Sequence, residues 1–234
     1  MLLLISSLLL MSCGADKYMK KGEKFLALGE YYDAAYQFKQ AYTRTPVKER
    51  DTRGKRALKM AQCYQRINAT PKAIAAYRNA IRYNQASKED QLAYARQLLK
   101  NGDYRQAEKV FLMLKDSMPG NQLIANGLKS AQMAPEWKKQ GSRYIVKRMD
   151  VFNSRRHDYS PVLFGDDYDQ LYFTSTRNEA LGDELSGITG TKAGDIFLSE
   201  KDDRGKWSKP EAIGTGLNTD YDEGACCFTP DGRE

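Results

Sequence analysis

A pattern of small and aromatic residues recurs along the first half of this chain, and it restricts the possible folds more than any other feature. Within 28–46 the marked positions are Gly29, Ala34, Phe38 and Ala41, with Pro46 closing the stretch. The same offsets pick out Asn68, Ala73, Tyr77 and Ala80, then Gly102, Ala107, Phe111, Leu114 and Pro119. Ala73 to Ala107 is 34 residues, whereas Ala34 to Ala73 is 39, so the first joint carries extra residues. A period near 34 residues signals stacked helical hairpins.

The offsets have a steric reading. Ala34, Ala73 and Ala107 fall early in a second helix, where two antiparallel helices approach closely and only a small side chain fits. Phe38, Tyr77 and Phe111 lie one turn further along the same face and fill the space beside that contact. Gly29 and Gly102 take the turn between helices, and Pro46 and Pro119 stop the second helix. These residues resemble the tetratricopeptide repeat. The usual first-helix aromatic is clear only as Tyr18, with Ala57 and Gln91 at the later equivalents.

The expected hairpins span 16–46, 52–85 and 87–119. Residues 121–133, with Leu123, Ile124 and Leu128 at helical spacing, would cap the last one, giving an α-solenoid over 14–134. Such arrays curve and leave a concave face for peptides or partner helices. Tyr64, Arg66, Tyr83, Tyr94 and Arg96 are the candidate partner-binding residues, with inter-repeat packing as their alternative use.

Residues 1–13, MLLLISSLLLMSC, hold an apolar run too short to span a bilayer, matching the core of a signal peptide. The end of that run resembles a bacterial lipobox, which implies lipidation at Cys13 and anchoring without a transmembrane helix. No basic residue precedes the leucines, so a start further upstream is expected.

Charge divides the chain. Residues 14–150 carry 28 Lys/Arg against 13 Asp/Glu, whereas 151–234 carry 9 against 17. Two domains of different kind are expected. The basic residues are spread along the helices, and nucleic acid is not expected as a partner. Cys63 reads as a small core residue, and Cys226-Cys227 as neighbours on a strand pointing to opposite faces. A single histidine, His157, argues against a zinc site and against histidine-based catalysis. Asp166, Asp167 and Asp169 crowd one turn but lack the spacing of a calcium loop. No metal, cofactor or catalytic residue is expected.

After a linker at 135–143 the pattern changes to short runs rich in Val, Tyr, Phe and Thr. Residues 144–149 alternate weakly. Residues 162–164 and 171–175 read as strands around the turn GDDYDQ, and 194–199 with Lys206-Trp207 as a hairpin around KDDRG. LYFTSTR, GDIFLSE, GKWSKPEAIG and FTPDGR resemble the PD40 class of WD40-like β-propeller repeat. The resemblance implies that 144–234 begins a propeller, incomplete within this sequence, and that the sequence is the N-terminal piece of a longer chain.

A lipobox, then tetratricopeptide repeats, then PD40 repeats resembles the Bacteroidetes envelope lipoproteins of the PorE type. That resemblance implies a non-enzymatic outer-membrane lipoprotein facing the periplasm, tied to type IX secretion. It also implies envelope proteins as partners of the helical array, and peptidoglycan contact through an OmpA-like C-terminal domain that this sequence does not contain. The alternatives are a lipoprotein of glycan uptake or of the cell wall, and the N-terminal part of a propeller-containing peptidase.

Overall fold

In the computed structural model the chain divides into two compact units, Met1–Arg143 with Gly187–Thr189, and Tyr144–Ser186 with Gly190–Glu234. The structure describes residues 2–214 and 216–229, with side chains from 14 onward. The side chain of Cys13 and the PDGR end of the FTPDGR motif therefore lie outside the described residues.

The first unit is a run of helical hairpins. Helices α1 (Leu2–Ala27) and α2 (Tyr31–Arg44) form the first. Next come α3 (Arg50–Arg66) with α4 (Thr70–Arg82), and α5 (Lys88–Lys100) with α6 (Tyr104–Lys115). Helix α7 (Gln122–Gln140) follows. Each helix packs on the next, and α5 also meets α7. The backbone of 2–13 is helical and continuous with the rest of α1. Among the described residues, no helix is long and apolar enough to cross a membrane.

The turn chemistry repeats with the sequence. Gly29, Asn68 and Gly102 all adopt positive φ, at 79°, 57° and 83°. Each closes the same pair of bonds. Gly29 donates to Leu26 and Glu30 to Phe25; Asn68 donates to Gln65 and Ala69 to Tyr64; Gly102 donates to Leu99 and Asp103 to Leu98. This is the Schellman termination, which uses a left-handed residue to satisfy otherwise orphaned carbonyls. Where the next helix needs a start signal the sequence supplies one. Ser87 and Asp90 exchange bonds in a capping box at α5, and the Asn121 side chain accepts from the Leu123 and Ile124 amides at α7.

Ala34, Phe38, Ala41, Ala73, Tyr77, Ala80, Ala107 and Phe111 are all buried in the core of this unit. Two of the rings pack on glycines, Phe38 on Gly22 of α1 and Phe111 on Gly127 of α7. A Cβ on Gly22 would come within 2.6 Å of the Phe38 ring, and one on Gly127 would overlap the Phe111 ring. Gly22 stands twelve residues before Ala34, and Ala61 and Ala95, both fully buried, stand twelve before Ala73 and Ala107. Gly127→Ala should therefore destabilise the helical unit by about 1–3 kcal/mol through overpacking. That sign opposes the roughly 1 kcal/mol that Ala gains over Gly from helix propensity alone. Urea melts followed by helical circular dichroism measure it, and a stabilised variant would refute the close packing.

The extra residues of the first joint have a structural use. Arg56, buried on α3, pairs with Asp16 of α1 and donates to the Thr45 hydroxyl and, at 3.3 Å, to the Ala41 carbonyl. Arg53 donates to the Thr45 carbonyl at 2.6 Å and covers the Tyr42 ring. Two guanidinium groups thus satisfy carbonyls at the C-terminus of α2, where a cation is favoured.

Residues 135–140 are not a linker. Helix α7 continues through Pro135 to Gln140 and ends at Gly141, whose φ is 70°. A proline inside a helix loses one backbone hydrogen bond and crowds the preceding turn, and α7 accommodates both at Pro135. Residues 136–139 are mostly good helix formers, and Glu136 pairs with Lys139 one turn on at 2.7 Å.

The second unit is a four-stranded antiparallel meander in the order β1-β2-β3-β4. Its strands are β1 (Asp158–Phe164), β2 (Gln170–Ser175), β3 (Asp195–Glu200) and β4 (Glu211–Ala212). The expected β1–β2 hairpin is present, whereas the return strand paired with β3 is Glu211–Ala212 and Lys206-Trp207 contributes only an isolated bridge. In the turn after β3, Asp202 accepts from the Arg204 and Lys206 amides, both at 2.9 Å, and Lys201 bridges to Trp207. Strand β1 starts earlier than its apolar run, because a bulge between Tyr159 and Val162 lets the chain pass Ser160, at φ 52°, and Pro161. An edge strand tolerates that proline, since its missing N–H breaks no ladder. Residues 144–149 and 222–229 form no strand, so Cys226 and Cys227 do not sit in a pleat. Phe228 is instead stacked on Phe164, ring centroids 4.1 Å apart, and packs on Tyr172. Those ring contacts occupy the positions where a further strand was expected to begin.

Candidate functional site

The first helices of successive hairpins line up along the helical unit, and a groove of about 700 Å³ opens beside them. Leu26 and Tyr31 line one side, from the end of α1 and the start of α2. Gln62, Gln65 and Arg66 come from α3, Tyr77 from α4, and Glu89, Asp90 and Ala93 from α5.

The periodicity of α3 sets this arrangement. Ala57, Ala61 and Tyr64 face the core. Gln62, Gln65 and Arg66 share an adjacent face, reached by steps of three and four residues, and remain at the groove. The groove has a polarity. The Arg66 guanidinium stands 5.8 Å from the Tyr31 ring centroid at one end. Glu89 and Asp90 stand at the other. Hydrogen bonds from its own backbone N–H and from the Ser87 hydroxyl hold the Glu89 carboxyl below the usual carboxylate range. Gln62 donates to Asp90 at 3.1 Å, tying α3 to α5.

Tyr77 forms the floor. Its ring is in the core, and its hydroxyl donates to Gln65 Oε1 at 2.6 Å. Burial pushes the phenol upward, with Asp90 adding to the rise, so it remains a neutral donor. Cys63, behind the groove wall, is fully buried, and burial pushes its thiol up to about 11. A thiol of that kind is a packing group, not a nucleophile.

The structure sorts the other candidate residues. Tyr64 and Tyr94 are buried and belong to the hydrophobic core, because α3 and α5 are covered on that face by neighbouring hairpins. Lys72 lies over the Tyr64 ring at 5.7 Å. Tyr83 caps α4 and packs its Cβ against Gly54, with Arg50 over its ring. Arg96 is exposed, and Arg66 alone of the five lines the groove. Tyr31, Gln62, Gln65, Glu89 and Asp90 were not singled out from the sequence. A glutamine three residues before another, beside a buried apolar stripe, was the signal present for α3. Among the described residues, no group of three or more His, Cys, Asp or Glu side chains is placed to hold a metal ion. Asp166, Asp167 and Asp169 are exposed on their turn.

A lining of carboxamides, a guanidinium, carboxylates and a phenol suits recognition of a polypeptide. The carboxamides match backbone amides, and the two charged ends set direction.

No family model matches this chain, and no curated protein matches it. Among solved structures, the C-terminal tetratricopeptide-containing domain of a Plasmodium falciparum FK506-binding protein is similar. The identity is 15%, the TM-score is 0.46, and the match covers 56% of this chain and 94% of that domain.

Proposed function

We propose that the helical unit is a tetratricopeptide-type scaffold that binds a protein partner in the groove between α1, α3 and α5. The observation that carries this reading is the groove itself, polar at its walls, cationic at Arg66 and anionic at Glu89 and Asp90. The occupant is an extended segment with an acidic residue near Arg66 and a basic residue near Glu89. In keeping with the PorE-type resemblance, the partner is an envelope protein of type IX secretion. The chain is a non-enzymatic lipoprotein of the outer membrane, facing the periplasm and held there by a lipid on Cys13. The four-stranded meander supports the further reading that the second unit is a PD40-type propeller blade, since antiparallel four-strand sheets are the blades of that architecture.

The test is a photo-crosslinking residue placed at Arg66, and separately at Lys129 on α7, in the full chain expressed in an envelope-containing host. A discrete protein adduct from position 66 and none from position 129 is the expected result. Identical patterns from the two positions, or no adduct from either, overturn the groove as the binding face.

A further inference from the structure

Helix α1 carries a second surface that the groove does not use. Lys17, Lys20, Lys21 and Lys24 recur at steps of three and four, so they share one face, and all four are exposed. Phe25 and Leu28 continue that face, with Leu28 71% exposed and Lys21 5.6 Å from the Phe25 ring centroid. The lysines, Phe25 and Leu28 line one open hollow together with Asp16. Residues 14–28 otherwise hold two acids, Asp16 and Glu23, and Asp16 is tied to Arg56. Among the described residues, none of the four lysines is in an ion pair. Elsewhere in this unit many cations are spent on aromatic rings or carbonyls, as with Arg44 over Tyr18 and Arg53 over Tyr42.

We propose that this lysine face of α1 binds the anionic surface of a lipid bilayer. It rests on the reading that residues 1–13 bring the chain to a membrane, and it adds the headgroup charge that the membrane must carry. The complementarity is specific. Lysine stems lie along the apolar boundary while their ammonium groups reach phosphates, and Phe25 and Leu28 sit at the acyl edge. The lipidation expected at Cys13 falls four residues before Lys17 on the same helix, so an acylated Cys13 would hold the lysines close to the headgroups. An acidic protein surface would satisfy the charge, but it gives no role to an exposed leucine at the end of the stripe.

The experiment is vesicle co-sedimentation of the full chain, with neutral phosphatidylcholine vesicles and with vesicles that also contain phosphatidylglycerol. Anionic vesicles are expected to bind more strongly, with the excess falling as salt is raised. The combined Lys17→Gln, Lys20→Gln, Lys21→Gln and Lys24→Gln variant should lose about fivefold of that excess per charge removed at low salt. A second variant, Lys39→Gln, Lys55→Gln, Lys109→Gln and Lys129→Gln, removes the same net charge elsewhere and should retain it. Equal binding to both vesicle types, or equal loss in both variants, overturns the lysine face. Binding to neutral vesicles reports residues 1–13 separately, so binding that is equal for both lipids leaves the anchor standing and removes only this proposal. No sedimentation with either lipid overturns both.

Discussion

Phe111→Ala is expected to lower the unfolding free energy of the helical unit by about 3–5 kcal/mol. The Phe111 ring is fully buried between α6 and α7, where its far end meets the bare backbone of Gly127. Removing it leaves a cavity, because α7 is held at its other contacts, Ile124 and Ala131, and cannot collapse inward. Urea unfolding followed at the helical circular dichroism band measures the change. That band reports the helical unit, since the second unit contributes only strands. A stronger test adds Gly127→Val. Alone it should destabilise, as the new side chain meets the ring. In the Phe111→Ala background it should stabilise by partly filling the void. A sign reversal of this kind is a coupling between touching residues. Additive effects would show that the two positions do not meet.

The second large effect is expected in the sheet. Asp158→Ala should cost about 3–5 kcal/mol in the stability of the second unit, because it leaves the Arg177 guanidinium buried without its carboxylate. The pair is desolvated, with side chains 9% and 8% exposed, and the Arg177 Nη2 to Asp158 Oδ1 distance is 2.9 Å. Asp158 also accepts from the Ser175 hydroxyl at 2.7 Å and from the Ser154 amide at 2.6 Å. Arg177 donates to the Phe152 carbonyl and the Ser175 hydroxyl, and lies over the Phe173 and Phe197 rings. The network joins β1, β2 and the segment before β1.

The same network predicts a pH dependence. Burial opposes ionisation of Asp158 most strongly, but the bonds from Ser175, Ser154 and Arg177 outweigh it and hold the carboxyl below its ordinary value. A carboxylate depressed in the folded state stabilises above its unfolded pKa, about 3.9, and that stability is lost as pH falls through the folded value. Tryptophan fluorescence at Trp207, which packs on Phe152 in this core, should therefore report weakening below about pH 4. The acid weakening should flatten in Asp158→Ala. Asp195 acts with the opposite sign. Burial raises its carboxyl, with Glu223 adding to the rise and the Leu181 amide opposing it. Its charged form thus destabilises at neutral pH, and the penalty is relieved as pH falls through the raised value. Replacing Asp195 by Asn removes that relief, so the two variants separate the contributions.

Period and turn chemistry are local properties, and they were legible in the residues. A small residue at Ala34, Ala73 and Ala107 and a ring at Phe38, Tyr77 and Phe111 place the hairpin seam, because helical geometry maps a spacing of four onto one face. Gly29 and Gly102 mark turns because few other residues accept a positive φ. The β1–β2 hairpin was readable for a similar reason, since alternation and turn residues are local. The matching small positions, Gly22, Ala61 and Ala95, carry the same kind of signal at a fixed distance of twelve residues.

What only the tertiary structure decided is which faces are covered, and which distant residues meet. Periodicity groups Tyr64 with Arg66 on one helix, but only the neighbouring hairpins determine that the tyrosine is buried and the arginine lines a groove. Pro135 reads as a boundary from steric rules, yet the helix passes through it to Gln140, where neighbouring helices and not local preference fix the backbone. Asp158 and Arg177 are 19 residues apart and become a pair through the register of β1 on β2, which no local pattern encodes. Local rules follow from the geometry of a few consecutive residues. Burial and long-range pairing follow from how whole elements pack, and they decided both the groove and the ion pair.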